Sequence, residues 1–161
     1  MQKAIMVMGV SGAGKSTIAA GLANALGGVF LDGDDYHPQS NVDHMAAGHP
    51  LTDEMRWPWL DVLASAVNAE RQNHITVFAC SALKSRYRNY LRAAVPGLQI
   101  AYLDAPQAVV AARLAQRKNH YMPSSLLDSQ YAALEVPASA EAVVSIAQPI
   151  EDIIAALAQI V

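Results

Sequence analysis

The feature that most constrains this chain is a glycine-rich segment at residues 9–16, which reads Gly-Val-Ser-Gly-Ala-Gly-Lys-Ser. It fits the pattern G-x-x-x-x-G-K-[ST] at every fixed position, and Thr17 extends it. An apolar run precedes the segment and a helical pattern follows it, which is the setting in which such a loop binds phosphate. The segment therefore predicts a nucleoside triphosphate site, although it does not specify the phosphate acceptor.

Residues of this phosphate-binding loop are predicted to contact ATP through backbone N–H groups, because glycines leave room for phosphate oxygens against bare backbone. Lys15 is predicted to place a positive charge on the β- and γ-phosphates and to act in catalysis, and Ser16 to offer a hydroxyl to Mg²⁺. The predicted ATP contacts in the loop are Gly9, Ser11, Gly12, Ala13, Gly14, Lys15, Ser16 and Thr17.

Short apolar runs alternate with helical patterns along the whole chain. The runs predict strands at 4–8, 29–31, 75–80, 100–103 and 143–146, and they are continuous, as in strands buried on both faces of a parallel sheet. The predicted helices are 15–26, 52–71, 105–117, 124–134 and 149–160. This order predicts a three-layer α/β fold in one domain over residues 1–161, with a five-stranded parallel sheet and helices on both faces. Ligands are then expected beyond the carboxyl ends of the strands.

The composition of the chain disfavours several classes of partner and cellular environment. A formal net charge of −3 makes duplex nucleic acid an unfavourable main partner. No apolar run approaches the ~18 residues that span a bilayer, so no membrane partner is expected. Cys80 is the single cysteine, which excludes an intrachain disulfide and favours a reducing compartment, the cytoplasm.

Two carboxylates follow the second predicted strand in the segment Asp32-Gly33-Asp34. The third apolar run ends at Cys80 without an acidic residue, so another group must help to hold Mg²⁺. One carboxylate of the pair is expected to face the metal and the other the acceptor hydroxyl, although Asp35 beside them leaves the assignment open. The alternative interpretation is an ordinary turn.

Three blocks of sequence carry a family resemblance. They are Leu-Asp-Gly-Asp-Asp-Tyr-His-Pro at 31–38, Pro-Leu-Thr-Asp at 50–53 with Arg56 and Pro-Trp-Leu at 58–60, and Cys-Ser-Ala-Leu-Lys at 80–84 with Tyr87 and Arg88. Single positions that extend the match are Asn41, Met45, Gly48, Arg113, Arg117, His120, Gln130, Leu134, Glu135 and Pro137. Over nearly its whole length the chain resembles gluconate kinases of the thermoresistant type, in the P-loop group that includes nucleoside monophosphate and shikimate kinases. The resemblance implies ATP-dependent phosphorylation of D-gluconate to 6-phospho-D-gluconate, with Mg²⁺, and a homodimer.

Gluconate is a linear polyhydroxy carboxylate, so its site needs a cation and several polar groups. Arg56 is predicted to bind the carboxylate with its planar fork, with a surface pair to Asp53 as the alternative. The remaining roles predicted on the acceptor side follow from position. Asp34 takes the acceptor hydroxyl and leaves Asp32 to the metal, His37 and Asn41 bind hydroxyls, and Lys84 and Arg88 face the sugar acid or the transferred phosphate.

A mobile lid is predicted at roughly 117–130. Arg117, as a catalytic residue, is expected to place charge on the transferring phosphoryl group, with His120 beside it on the substrate. Arg113 is predicted to stack on adenine and Gln148 to contact ATP, although the 145–149 segment lacks an acidic residue often found in relatives. The alternative for Arg113 and Arg117, four residues apart, is a position on the surface of one helix face.

Two other functions stay open at this point. One is a kinase for another small acceptor, such as a shikimate kinase. The other is a catalytically inactive ATP-binding sensor. Five intact residues disfavour it, namely Lys15, Ser16, Asp32, Asp34 and Arg117.

Overall fold

The computed structural model describes residues 1–116 and 124–161. Its parallel sheet has five strands in the order β2-β3-β1-β4-β5. The strands are Ala4–Met8 (β1), Val29–Asp32 (β2), Thr76–Ala79 (β3), Gln99–Asp104 (β4) and Ala142–Ser145 (β5). The helices are Lys15–Ala25 (α1), Gln39–Ala46 (α2), Asp53–Glu70 (α3), Ser85–Ala94 (α4), Gln107–Ala115 (α5), Ser124–Ala133 (α6) and Ile150–Ile160 (α7). Among these described helices, none is both long and apolar enough to cross a bilayer.

Two hydrophobic cores lie on opposite faces of the sheet. Successive residues of β1 alternate between them, so that Ile5 and Val7 belong to one core and Met6 and Met8 to the other. Helices α1, α5, α6 and α7 contribute to the first core, and α3 and α4 to the second. The predicted α/β fold, with a five-stranded parallel sheet between two helical layers, is confirmed.

The edge strands correct one expectation. The sequence predicts strands buried on both faces, but β2 is only half-buried along its length, and β5 alternates between buried and exposed residues. In β5, Ala142 and Val144 pack into the core beside α7, whereas Val143 is 57% exposed. The cause is position in the sheet, because each edge strand has one neighbour and incomplete helical cover.

Two helices, α2 and α4, were not predicted from the sequence. Helix α2 follows a short 3-10 turn at Gly33–Tyr36, and α4 forms the crossover from β3 to β4. Helix α4 is rich in arginine and resembles a solvated charge cluster in sequence, although Tyr87 and Leu91, four residues apart, are both buried.

The carboxyl ends of three neighbouring strands carry the candidate site. The phosphate-binding loop follows β1, the Asp32–Asp34 segment ends β2, and residues 80–84 follow β3. The predicted lid includes residues 117–123, which lie outside the described residues. Both the lid and the single-domain boundary at 1–161 stay predictions.

Candidate active site

The loop after β1 is shaped by its glycines. Gly12 and Gly14 have φ angles of 84° and 92°, in the left-handed region that favours glycine. A Cβ at Gly12 would also crowd Val110 at 3.0 Å and Leu114 at 3.2 Å, both on α5. The loop therefore has no side chain at residues 12 and 14, where it turns into the N-terminus of α1. Free N–H groups and the helix dipole attract anions at this point.

This turn borders a cavity of about 370 Å³, here called the phosphate cavity. Its lining residues are Ser11, Gly12, Gly14, Lys15, Ser16, Thr17, Asp32, Asp34, Ala79, Cys80 and Ser81. Three neighbouring strand ends thus contribute to one cavity, as the sequence analysis predicts for ligands of this fold.

Lys15 holds its charge at the wall of the phosphate cavity. Its Nζ donates a hydrogen bond to the carbonyl of Val10 at 3.0 Å. Burial lowers the pKa of Lys15, and the nearby carboxylates of Asp34 and Asp32 oppose that shift. Since the other bonding directions of an ammonium group can still be used, Lys15 can bind phosphate oxygens from this position.

Ser16 and Asp32 bring two hard oxygen donors together. The Ser16 hydroxyl donates to Oδ2 of Asp32 at 3.1 Å, and Oδ1 of Asp32 accepts from the N–H of Asp34 at 3.1 Å. Mg²⁺ prefers oxygen ligands and often takes one or two from the protein, with phosphate and water oxygens completing its shell. This donor pair fits Mg²⁺ bound beside a nucleotide.

Asp34 projects from a turn that is fixed behind it. A side chain at Gly33 would overlap the carbonyl oxygen of Ala79, and the Gly33 carbonyl accepts a hydrogen bond from the buried Trp59 indole at 2.8 Å. The Asp34 side chain itself is 88% exposed and lies 3.8 Å from Nε2 of His37. The turn is therefore rigid, while its carboxylate faces the open cavity.

His37 and Asn41 form a layer behind Asp34. The His37 ring stacks on Trp59 with 4.1 Å between centroids, and burial lowers the pKa of His37. The buried Asn41 amide donates to the carbonyl of Met55 at 3.0 Å and lies 3.2 Å from Nδ1 of His37. The structure therefore places His37 beside Asp34. The Asn41 amide nitrogen instead contacts groups of the protein itself, the Met55 carbonyl and the His37 ring.

A second cavity, of about 250 Å³, lies beside the first and is here called the arginine cavity. Its lining residues are Leu51, Arg56, Trp59, Leu60, Ser81, Ala82, Leu83, Lys84, Tyr87 and Ala133. Ser81 borders both cavities. A ligand in one cavity can therefore approach a ligand in the other at this residue.

Arg56 is held at the wall of the arginine cavity by a polar cluster. Its Nη1 donates to the Tyr87 hydroxyl at 3.0 Å and lies 3.5 Å from Oδ1 of Asp53. Tyr87 in turn donates to Asp53 at 2.6 Å, which lowers the pKa of that carboxyl, and Arg86 contacts the other oxygen of Asp53 at 2.7 Å. Within the described part of the chain, the hydrogen bonds of Arg56 all use Nη1, so Nε and Nη2 can still bind an anion.

The structure separates Lys84 from Arg88. Lys84 lines the arginine cavity, whereas Arg88 is only 5% exposed and lies behind it. The Arg88 guanidinium donates to three backbone carbonyls at 2.8–2.9 Å, those of Ala82, Leu83 and Glu135. Arg88 is therefore not brought into contact with the cavity as the sequence analysis expects.

Gln130 is a site residue to which the sequence analysis gives no role. Its side chain makes two hydrogen bonds to Ser11, accepting from the backbone N–H at 2.7 Å and donating to the hydroxyl at 2.8 Å. Helix α6 is thereby attached to the phosphate-binding loop. Ser81 and Tyr87 were also missed as cavity residues. The sequence could have indicated Ser81 through its position directly after the third predicted strand, at 75–80.

The predicted adenine-side residues lie near the end of β5. Arg113 donates to the carbonyl of Ile146 at 3.0 Å, and Gln148 donates to the carbonyl of Ser145 at 3.0 Å. Arg113 therefore contacts the segment that follows β5, and Gln148, which belongs to that segment, bonds back to the last residue of β5. Arg117 and His120 lie outside the described residues.

The chain is similar in sequence and fold to several known proteins. Residues 5–137 match the family model described as an AAA domain. The thermoresistant gluconokinase of Escherichia coli (strain K12) is 41% identical over 160 residues, covering 97% of this chain and 91% of that protein. The gluconokinase of Gluconobacter oxydans (strain 621H) is 46% identical over 146 residues, covering 88% of this chain and 80% of that protein. The crystal structure of a gluconokinase from Sinorhizobium meliloti 1021 has a TM-score of 0.86 at 40% identity, covering 98% of this chain and 94% of that one.

Proposed function

The chain belongs to the gluconokinase family, and from that premise we propose that it transfers the γ-phosphate of ATP to D-gluconate, giving ADP and 6-phospho-D-gluconate. The observation that carries this proposal is the contact between the two cavities at Ser81. One cavity has the lysine and the bare loop that suit a triphosphate, and the other has the cations that suit a carboxylate.

ATP is proposed to lie with its phosphates in the phosphate cavity. The loop N–H groups and Lys15 bind the β- and γ-phosphates, and Arg113 and Gln148 serve the adenine side. Ser16 and Asp32 would hold Mg²⁺, which neutralises phosphate charge when it is bound. These residues position the γ-phosphate toward the arginine cavity.

Gluconate is proposed to bind in the arginine cavity through its carboxylate. The guanidinium of Arg56 can form a two-point contact with a carboxylate, and the Lys84 ammonium adds a second charge on the same wall. The far end of the sugar acid then reaches Ser81 and the phosphate cavity. His37 is proposed to bind a hydroxyl, and Asn41 to hold His37 in place.

Asp34 is proposed to take the acceptor hydroxyl. Its exposed carboxylate lines the phosphate cavity, so it can accept the proton of a primary hydroxyl and direct the oxygen at the γ-phosphorus. Phosphoryl transfer has a loose transition state, so this alignment counts for at least as much as basicity. Arg117 and His120, in the predicted lid, would complete the charge around the transferring group.

The surroundings of the reaction are also part of the proposal. A net charge of −3 and the single buried Cys80 suit a cytoplasmic enzyme without a nucleic-acid or membrane partner. The resemblance to gluconate kinases further suggests a homodimer. The relatives do not favour the shikimate kinase alternative, and the intact Lys15, Ser16 and Asp32 set disfavours an inactive sensor.

An acceptor screen tests the proposed function. ADP release is measured with D-gluconate, with shikimate and without acceptor, and Lys15→Ala serves as the inactive control. We expect rapid release with gluconate alone. Faster release with shikimate would support the alternative kinase, and no acceptor-dependent release in a protein that binds ATP would support the sensor.

A further inference from the structure

Two arginines are buried in the described part of the chain, and they are chemically alike. Arg71 is 4% exposed and Arg88 is 5% exposed. Neither forms an ion pair within the described residues, and both donate to backbone carbonyls instead. A buried guanidinium is costly unless its donors are satisfied, so each must stabilise the backbone that surrounds it.

The two arginines lie at opposite ends of the sheet. Arg71 donates to the carbonyls of Gln2 and Pro96, which precede β1 and β4 at the amino edge. Arg88 donates beside the carboxyl end of β3, where both cavities lie. A comparison of the two arginines can therefore distinguish a contribution to the stability of the fold, which both make, from a contribution to the site, which only Arg88 is placed to make.

Arg88 holds a turn at residues 81–84 that needs support. Ala82 has a φ of 42°, and it is the only non-glycine residue in the described part of the chain with a positive φ. Such a conformation is unfavourable for alanine and persists where surrounding contacts fix it. Arg88 supplies that fixation, because its Nη1 donates to the carbonyls of both Ala82 and Leu83.

Glu135 holds the same turn from the other side. Its N–H donates to the carbonyl of Leu83 at 2.8 Å, and its carbonyl accepts from Nη2 of Arg88. Its carboxylate accepts from the N–H of Ser85 at 2.8 Å and so caps α4, whose own N-cap residue makes no side-chain hydrogen bond. The turn is thus fixed between α4 and the segment that follows α6.

The turn itself forms the wall that the two cavities share. Ser81 borders both, and Ala82, Leu83 and Lys84 line the arginine cavity. A shift of this turn would move the Lys84 charge and the place where the two ligands meet, while the phosphate-binding loop stayed in position.

We propose that Arg88 is a positioning residue for phosphoryl transfer, which sets the 81–84 turn against the acceptor without touching the substrate. The inference rests on the proposed function, in which the arginine cavity takes gluconate. Arginine is required because its planar fork reaches three carbonyls at once, whereas the point charge of lysine cannot span them.

The test compares Arg88→Lys with Arg71→Lys in the full chain. Both variants are expected to lower the melting temperature, since each loses buried hydrogen bonds. At a temperature where both are folded, only Arg88→Lys is expected to lower kcat/KM for gluconate, by ~10²-fold, the scale of a small misplacement of reacting groups. The KM for ATP should stay at the wild-type value in both. Equal kinetic effects in the two variants, or an Arg88→Lys enzyme with wild-type kcat/KM, would overturn the inference.

Glu135→Ala gives a second route if Arg88→Lys does not fold. Glu135 is exposed, and its truncation keeps the backbone contacts with Leu83 and Arg88 but removes the carboxylate that caps α4 and that favours the charge of the buried Arg88. We expect a smaller loss of kcat/KM for gluconate in the same direction, again with unchanged KM for ATP, and wild-type kinetics would count against the proposal. A wild-type chain that is inactive with gluconate refutes the proposed function, whereas an active wild type with an unaffected Arg88→Lys variant refutes this inference alone.

Discussion

The phosphate cavity and the arginine cavity lie side by side but are assembled in different ways. Most of the phosphate cavity comes from one continuous stretch, residues 11–17, whose shape depends on glycine backbone angles. The arginine cavity combines residues from 51–60, 81–87 and Ala133, which are distant in sequence. Phosphate binding is thus encoded mainly in one segment, whereas acceptor binding depends on side chains that the whole fold brings together.

The supports of the two cavities differ in the same way. The loop of the phosphate cavity is supported mainly by helix α1, which follows it directly, and by the two hydrogen bonds between Gln130 of α6 and Ser11. The acceptor side relies on buried polar contacts, such as the Trp59 indole on the Gly33 carbonyl and the Asn41 amide on the Met55 carbonyl. Substitutions distant from any motif should therefore affect the acceptor more than ATP.

The largest effect is expected at Asp34, which lines the phosphate cavity and is proposed to take the acceptor hydroxyl. Asp34→Asn keeps the shape of the side chain but removes the charge that accepts the hydroxyl proton, so kcat should fall by ~10²–10⁴-fold with ATP binding nearly intact. Asp35→Asn is the matched control, because Asp35 is also exposed but lines neither cavity. Steady-state kinetics of both variants checks this, and a larger loss in Asp35→Asn would move the role to Asp35.

Lys15→Ala tests the phosphate cavity by itself. Loss of the charge that holds the β- and γ-phosphates through the transition state should lower kcat by at least ~10²-fold. Turnover is measured beside circular dichroism, which shows whether the variant is folded. Near-normal turnover in a folded Lys15→Ala protein would contradict the kinase assignment.

Most residues that line the phosphate cavity could be located from the sequence because they belong to one motif. A single motif after an apolar run located the loop, and Asp32 and Asp34 were found from their position after the next strand. The role proposed for Arg88 could not be found in this way, because it depends on the inward packing of this arginine against residues 82, 83 and 135. Helix α4 has an apolar side that includes Tyr87 and Leu91, but its arginines make it polar as a whole, so in sequence it resembles a solvated charge cluster and was missed together with the turn before it.

Arg56→Ala tests the arginine cavity by itself. Losing a charge-assisted carboxylate contact should cost about 2–3 kcal/mol, which is roughly a 30- to 150-fold rise in the KM for gluconate. The KM for ATP should change little. Arg86→Ala is the control, because Arg86 also contacts Asp53 but does not line the cavity. An equal rise in both variants would show that the Asp53 cluster matters only structurally.

Asp32→Asn should give a smaller and reversible loss. If Asp32 and Ser16 hold Mg²⁺, this variant needs more Mg²⁺ for half-maximal activity, and added metal partly restores kcat. A Mg²⁺ titration of Asp32→Asn beside Asp34→Asn measures the difference. Rescue of Asp34→Asn but not of Asp32→Asn would reverse the two assignments.

The smallest effect concerns the pH dependence of stability at His37. Burial lowers the pKa of His37 in the folded protein, while Asp34 opposes that shift. The unfolded chain therefore binds more protons at this residue, and the free energy of unfolding falls as the pH drops below the ordinary histidine value of about 6.5. Denaturant unfolding of wild type and His37→Gln, with the exposed His74→Gln as control, should show the advantage of wild type shrinking as the pH falls. An advantage that grows on acidification would mean that Asp34 dominates the pKa.

The central claim is that the γ-phosphate passes from the phosphate cavity to the primary hydroxyl of gluconate held in the arginine cavity. The most direct measurement is ³¹P and ¹³C NMR of the product formed from ATP and D-gluconate. The account predicts one phosphomonoester, coupled to the C6 carbon and formed in equal amount to ADP. Inorganic phosphate in place of an ester, or an ester at another carbon, would contradict it.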